Sequence, residues 1–369
     1  MGINPYFYSI DIRKYTCFIV VFLMKIIIDD KIPYIKEAIE RMAEEAVFVP
    51  GGGFTPELVR NADALVVRTR TRCNRELLED SRVKLIVTAT IGYDHIDTGY
   101  CRQAGITWSN AAGCNAASVA QYVQSSLLLL ERMCGISLKR LTIGIVGVGN
   151  VGSKVADVAR KAGMRVFIND LPRQEKEGKE GFTDVAEIAK KCDIITFHTP
   201  LYMEGKYKTY HLADEAFFRS LRRHPVIINT SRGEVVDTGA LLNALDSGTV
   251  SDAVIDVWEG EPNIDRRLPA KAMIATPHIA GYSADGKANA TRMSLEAIGR
   301  YFGINASFEI TPPAPENAVI YANSYEEALL WIYNPQTDSE ALKANPDDFE
   351  RLRGNYPLRR EEVGYKIVV

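Results

Sequence analysis

Residues 141–152 read "LTIGIVGVGNVG", and the fold turns on them. An apolar run predicts a buried strand, and a helical stretch follows it. Between the two, Gly147, Gly149 and Gly152 stand in G-x-G-x-x-G spacing. In that context the spacing is a dinucleotide-binding turn. The first glycine allows the tight turn, the second lets the backbone approach a pyrophosphate, and the third lets helix and strand pack closely. The pyrophosphate then sits on a helix N-terminus, where free N–H groups and the helix dipole favour an anion. Gly147, Gly149, Asn150, Val151 and Gly152 are the expected contacts. Asp170 ends the next run, "MRVFIND", where a carboxylate accepts both ribose hydroxyls and repels a 2′-phosphate. The cofactor expected is therefore NAD rather than NADP, although Arg173 lies close by.

Working outward, the same alternation of apolar runs and amphipathic stretches extends in both directions. Downstream come "CDIITFHTP", "PVIINTSRG" and "VSDAVIDVWEG". Upstream, "KIIIDD", "DALVVRTR" and "VKLIVTATIG" are each followed by a helical stretch. Such alternation predicts βαβ units and parallel sheets. "SVAQYVQSSLLLLERM" (118–133) reads as a long buried helix that Asn115 or Ser118 could cap, and 288–303 as a further helix. The fold class expected is α/β, with two doubly wound parallel-sheet lobes: a Rossmann-type NAD domain over 117–279 and a flavodoxin-like substrate domain over 24–116 and 280–304. Residues 305–369 read as a small α+β domain, joined through the Pro-rich linker "EITPPAPENAV" (309–319). Residues 1–23 read as an extension outside the fold, because "MKIIIDD" from Met24 looks like the first buried strand.

The bulk composition excludes several classes. The chain has 369 residues, 46% hydrophobic and 25% charged, the profile of an ordinary globular protein. A formal net charge of −3 offers no basis for binding nucleic acid or an anionic membrane surface. "CFIVVFLMKIII" (17–28) is too short to span a bilayer. Cys17, Cys73, Cys101, Cys114, Cys134 and Cys192 show no zinc-ligand spacing and read as reduced thiols of a cytoplasmic protein, with no metal expected.

Three later segments carry the candidate chemistry, at the strand ends where open α/β sheets bind ligands. "NTSRGEVVD" (229–237) offers Arg232, "DVWEGEP" (256–262) offers Asp256 and Glu261, and "TPHIAGY" (276–282) offers His278. A guanidinium holds a carboxylate in a two-pronged grip and polarises the neighbouring carbonyl. An imidazole takes a hydroxyl proton, and a carboxylate beside it fixes the tautomer. Singly, each residue is more often surface, turn or core; together, behind a dinucleotide turn, they favour oxidation of a 2-hydroxy acid.

This arrangement resembles the D-isomer-specific 2-hydroxyacid dehydrogenase family. "ATIGYDHID" (89–97) is similar to that family's substrate loop, whose backbone N–H groups receive the substrate carboxylate. "GCNAASVAQYV", "TFHTPL", "HLADE", "DVWEGEP" and "TPHIAGYSADGK" resemble the branch that oxidises a small phosphorylated 2-hydroxy acid in vitamin B6 biosynthesis. The resemblance runs from Met24 to about Gly303. It implies Thr199, Asp256 and Gly281 at the NAD site, Thr69, Thr90 and Tyr282 at the substrate, and a homodimer joined through 305–369. "RTRTR" (68–72), taken as strand, puts Arg68, Arg70 and Arg72 on one face as phosphate candidates, with Lys287 as another. The alternatives are another acid, such as 3-phosphoglycerate or hydroxypyruvate, or an NAD-sensing corepressor-like protein.

Overall fold

The computed structural model describes residues 24–305 and 307–369. The extension read at 1–23 lies outside the described residues. The chain divides into two compact units: the described residues up to Cys114 with Lys287–Pro312, and Asn115–Gly286 with Pro313–Val369.

The first unit is built on five strands: β1 (Lys25–Asp29), β2 (Glu45–Val49), β3 (Ala64–Val67), β4 (Leu85–Thr88) and β5 (Thr107–Asn110). All pair in parallel, in the order β2-β1-β3-β4-β5. Successive strand residues face opposite sides of a sheet, and the core divides accordingly. Ile26, Ile28, Val66 and Val87 pack on one face with Leu295 and Ile298. Ile27, Leu65, Val67 and Ile86 pack on the other. Both faces are covered, so these strands are apolar without alternation, as parallel sheets require. Leu295 and Ile298 belong to the helix Ala284–Phe302, which from Lys287 onward is part of this unit.

The 68–72 segment is not the strand that its alternation suggests. β3 ends at Val67, and 68–72 form a turn rather than strand. Thr71 N–H donates to the Arg68 carbonyl (3.1 Å), and the buried Thr71 hydroxyl donates to the Gly51 carbonyl (2.8 Å). Arg68, Arg70 and Arg72 therefore do not share a strand face.

The second unit carries β6 (Thr142–Val146), β7 (Arg165–Asn169), β8 (Ile194–Phe197), β9 (Val226–Asn229), β10 (Asp252–Ile255) and β11 (Ile274–Ala275). Their order is β11-β10-β9-β8-β6-β7, all parallel. A single parallel bridge from Ile168 to Phe182 continues the sheet beyond β7. Strand order reverses between β6 and β8, the switch point where ligands bind doubly wound sheets.

The long helix runs from Ala116 to Cys134, two residues earlier than the sequence indicated. Asn115 occupies its N-cap position, but neither candidate side chain caps it. The buried Ser118 hydroxyl donates instead to the Ala280 carbonyl (2.8 Å). A two-stranded parallel sheet of β12 (Val319–Tyr321) and β13 (Lys366–Val368), with short helices between, completes the chain. These C-terminal residues join the second unit's core. Leu329, Leu330 and Tyr333 enter one side of it, and Leu342 and Phe349 the other. No described helix is long and apolar enough to cross a membrane.

Candidate active site

The dinucleotide turn is closed by two glycines and left open at the third. Gly147 has φ +87°, and a Cβ there would lie 2.8 Å from the His198 carbonyl. A Cβ on Gly152 would lie 1.9 Å from the Gly147 oxygen, so only glycine lets the helix Asn150–Lys161 seat on the turn. A Cβ on Gly149 would meet nothing within 4 Å. Asn150 and Val151 open the helix beside that clear face. Asp170, which follows β7, accepts from Val148 N–H (3.0 Å) and Arg173 N–H (3.0 Å), bracing the turn. Arg173 is already engaged: it donates to the Val148 carbonyl (2.6 Å) and twice to Glu177 (2.8 Å). The Thr199 hydroxyl is buried with no hydrogen-bond partner among the described residues. This orphaned group and the open face over Gly149 fit a bound dinucleotide. We expect Gly152→Ala to weaken NADH binding by roughly 5- to 100-fold, since relieving an overpacking clash of about 1–3 kcal/mol must open the turn. Wild-type affinity in a fluorescence titration would contradict this role.

His278 is held from below and from one side. Buried Asp256 sits just past β10, and its carboxylate accepts from the Thr276 hydroxyl (2.6 Å), Ile279 N–H (2.8 Å) and Ala280 N–H (2.9 Å). Burial pushes this carboxyl up, against the opposing charge of His278 and those hydrogen bonds. Tyr122 (2.8 Å) and the Trp258 indole (2.9 Å) fix Thr276 further. The clamped loop holds His278 at φ +58°, a left-handed conformation that non-glycine residues adopt where surrounding structure enforces it. Nδ1 of His278 lies 2.8 Å from Glu261 Oε2, and Trp258 N–H donates to Glu261 Oε1 (2.9 Å). Burial alone would raise the Glu261 carboxyl. The hydrogen bond and charge of His278, Trp258 N–H and the Arg353 charge outweigh it and hold the group below its ordinary value.

Arg232 follows β9. Buried Asn229 ties its loop: the Asn229 amide donates to the Arg232 carbonyl (2.9 Å) and its oxygen accepts from Ser231 N–H (3.1 Å). A Cβ on Gly233 would fall 2.0 Å from the Trp258 backbone, so this loop rests directly on the segment that leads to Glu261. The Arg232 side chain is exposed, and one guanidinium nitrogen donates to the Ser231 carbonyl (2.7 Å). Gly281 does not present an open face: a Cβ there would lie 2.0 Å from Asn115 Nδ2, which points at the Gly281 carbonyl (3.4 Å).

The other four histidines are otherwise engaged. His198 lies between the Thr196 and Thr230 hydroxyls, and burial pushes its pKa down to about 3, so it stays neutral. His95 is lowered by burial and bonds Thr88. His224 bonds the Gly248 carbonyl. His211 faces carboxylates with both nitrogens, Glu259 at 2.6 Å and Asp237 at 3.4 Å. Only His278 pairs one nitrogen with a carboxylate while Nε2 has no hydrogen bond to a described residue.

In the first unit, the Thr90 hydroxyl donates to the Gly92 carbonyl (2.8 Å) and touches the Thr88 hydroxyl (2.6 Å). The N–H groups of Ile91, Gly92 and Tyr93 find no acceptor among the described residues. Thr69 is exposed in the 68–72 turn. Arg68 pairs with buried Asp29 (3.3 Å), while Arg70 and Arg72 are exposed. Burial and the nearby charge of Arg68 lower the Lys287 ammonium.

Sequence reasoning missed one residue of the second unit. Arg353, from the C-terminal helix Phe349–Gly354, donates to the Tyr282 hydroxyl (3.2 Å) and lies 3.7 Å from Glu261 Oε2. Its only sequence signal was the Arg-rich run "ERLRGNYPLRREE", which nothing local connects to a site.

Residues 114–280 match the NAD-binding domain of D-isomer-specific 2-hydroxyacid dehydrogenases. An erythronate-4-phosphate dehydrogenase of Bacteroides thetaiotaomicron is 67% identical over 345 residues, covering 94% of this chain and 99% of that protein. Its counterpart in Bacteroides fragilis is 66% identical over 346 residues, with the same coverage. The chain belongs to the D-isomer-specific 2-hydroxyacid dehydrogenases, in the erythronate-4-phosphate dehydrogenase branch. Among solved structures, D-lactate dehydrogenase from Aquifex aeolicus, complexed with NAD and lactic acid, aligns with TM-score 0.61 at 25% identity, covering 78% of this chain and all of that one. For a member of this dehydrogenase family, the matched segment holds the glycine turn, Asp170, Arg232, Glu261 and His278; Tyr282 and Arg353 lie beyond it.

Proposed function

We propose that this chain oxidises 4-phospho-D-erythronate to (R)-3-hydroxy-2-oxo-4-phosphooxybutanoate, a step of pyridoxal 5′-phosphate biosynthesis, with NAD as cofactor. The carrying observation is the 66–67% identity to erythronate-4-phosphate dehydrogenases over nearly their whole length. NAD, when bound, supplies the hydride acceptor. Gly147, Gly149, Asn150, Val151, Gly152, Asp170 and Thr199 would hold it, Gly281 by its backbone alone since Asn115 covers its Cα, with Asp256 fixing the adjoining loop. Arg232 grips the substrate carboxylate and stabilises the charge that develops on the C2 oxygen as the carbonyl forms. Nε2 of His278 takes the C2 hydroxyl proton as the hydride leaves C2. Glu261 holds the imidazole in the tautomer that can accept it. Thr69, Thr90 and Tyr282 contact substrate, and the neighbouring cations Arg68 and Lys287 receive its phosphate, whose charge relieves their mutual repulsion.

The working enzyme is a cytoplasmic homodimer. The five described cysteines are free thiols, which suits a reducing compartment. Trp331 is 70% and Tyr321 77% exposed in the C-terminal region, large apolar surface that a second copy would cover. We expect Trp331→Glu to convert dimers into monomers in analytical ultracentrifugation; an unchanged sedimentation coefficient at matched concentration would refute this interface.

A substrate panel followed by NADH absorbance tests the reaction. The expected order of kcat/KM is 4-phospho-D-erythronate above 3-phosphoglycerate and reduced hydroxypyruvate, and NAD above NADP. Equal or better turnover of 3-phosphoglycerate would overturn the substrate assignment.

A further inference from the structure

We propose that Arg353 is a positioning residue of the reaction: it sets the charge balance of the Glu261–His278 pair and the placement of Tyr282, which makes the C-terminal segment a working part of the active site within its own chain. The proposal rests on the catalytic roles given above to Glu261 and His278.

One guanidinium serves both groups. Nη1 lies 3.7 Å from Glu261 Oε2, the same oxygen that faces His278 Nδ1 at 2.8 Å. Nε donates to the Tyr282 hydroxyl (3.2 Å), and the guanidinium carbon stands 5.8 Å from the centre of the Tyr282 ring. Arg353 therefore touches Glu261 by charge alone and Tyr282 by a directed hydrogen bond. Both partners are themselves held, Glu261 by Trp258 N–H and Tyr282 by edge-on contact with Tyr356 at 6.2 Å.

The segment carrying Arg353 is clamped to the loop that follows His278. Arg359 donates to the Ala280 carbonyl (2.6 Å) and Ser118, and lies 4.0 Å from the Tyr333 ring centre. Arg360 grips Asp285 with two bonds of 2.9 and 3.0 Å. The Ser283 hydroxyl donates to Glu361 (2.7 Å), and Ala284 N–H to the Arg359 carbonyl (2.8 Å). Arg359, Arg360 and Glu361 are all buried. Charged groups are seldom buried unless paired; Arg360 has Asp285, while Nε and Nη1 of Arg359 have no hydrogen-bond partner among the described residues. The clamp as a whole does more than attach a surface appendage. It fixes the distance from Arg353 to Glu261.

The charged and titratable groups facing Glu261 are His278 on the loop after β11 and Arg353 on the C-terminal segment. Asp256 carries the loop beneath the pair, and its carboxylate feels the charge of His278. A cation at Arg353 favours the ionised form of Glu261 and opposes protonation of the pair. Removing it makes the pair protonate at higher pH, where it can no longer accept the substrate proton. The acid limb of kcat/KM for oxidation then moves upward in pH.

The test uses the full-length enzyme as wild type, Arg353→Met and Arg353→Lys, with the 2-hydroxy acid that the wild type oxidises best. Arg353→Met should shift the acid limb up by roughly 1 unit, the low end of the range for losing an opposite charge at this distance. It should also lower kcat by roughly tenfold with NADH affinity unchanged, a smaller loss than removing the acid–base group itself. Arg353→Lys should return the limb most of the way while leaving KM raised, because a lysine cannot reproduce the directed bond to Tyr282. An Arg353→Met enzyme that binds NADH normally and keeps the wild-type limb overturns the proposal. A second readout needs no turnover: the His278 resonance, assigned by its loss in His278→Ala, is titrated by NMR in each variant. Should Arg353→Met fold poorly, Arg353→Lys and Arg353→Gln are compared by the same titration; identical curves for these two refute the charge role. A different preferred acid in the wild type would correct the substrate assignment and leave this result standing.

Discussion

His278→Ala should lower kcat by roughly 10²–10⁴, the range for loss of a general acid–base group, with NADH affinity nearly unchanged. The expectation follows from the direction of one hydrogen bond. Glu261 is held below its ordinary carboxyl range, so it is an ionised acceptor. Nδ1 of His278, 2.8 Å away, must then be the protonated nitrogen of the neutral ring. That leaves the Nε2 lone pair to receive the substrate proton. Asp256 accepts from Ile279 and Ala280, flanking residues of the same loop, so truncating the imidazole leaves its frame intact. Stopped-flow or steady-state rates with separate NADH titration decide it. Near-normal kcat would remove His278 from the proton step, and His211 does not replace it readily, since both of its nitrogens face carboxylates.

Arg232→Ala should lower kcat/KM by roughly 10²–10⁴, the loss of two charge-assisted hydrogen bonds of about 1.5–3 kcal/mol each. KM should rise and kcat fall together, because the guanidinium acts both on the bound carboxylate and on the developing carbonyl. The Ser231 carbonyl takes one donor of the five, and the exposed side chain presents the others. Arg232→Lys should recover little, because an ammonium cannot span two carboxylate oxygens. An unchanged KM in Arg232→Ala would contradict the carboxylate role.

Much of this was legible in the sequence because it is local. The glycine spacing, Asp170 and the strand runs each lie within one βαβ unit, where chain distance and spatial distance agree. Arg232, Glu261 and His278 were legible as strand-end residues of successive β-strands that a parallel sheet brings to one edge. What hid was set by tertiary closure. Arg353 reaches Glu261 only because buried Arg359 and Arg360 pin a distant segment to the loop after His278. The Thr/Arg alternation of 68–72 imitates a strand. Yet β3 stops at Val67, since the next residues are charged and Thr71 bonds back to Gly51 to close a turn. Asn115 has the side chain of a cap, but it is drawn away toward the Gly281 carbonyl.

The central claim is direct transfer of the C2 hydrogen of 4-phospho-D-erythronate to NAD. The substrate deuterated at C2 is oxidised by the wild-type enzyme and the recovered NADH is weighed by mass spectrometry. One deuterium per NADH formed is the expected result. Deuterium released to water, or no NADH at all, would contradict it.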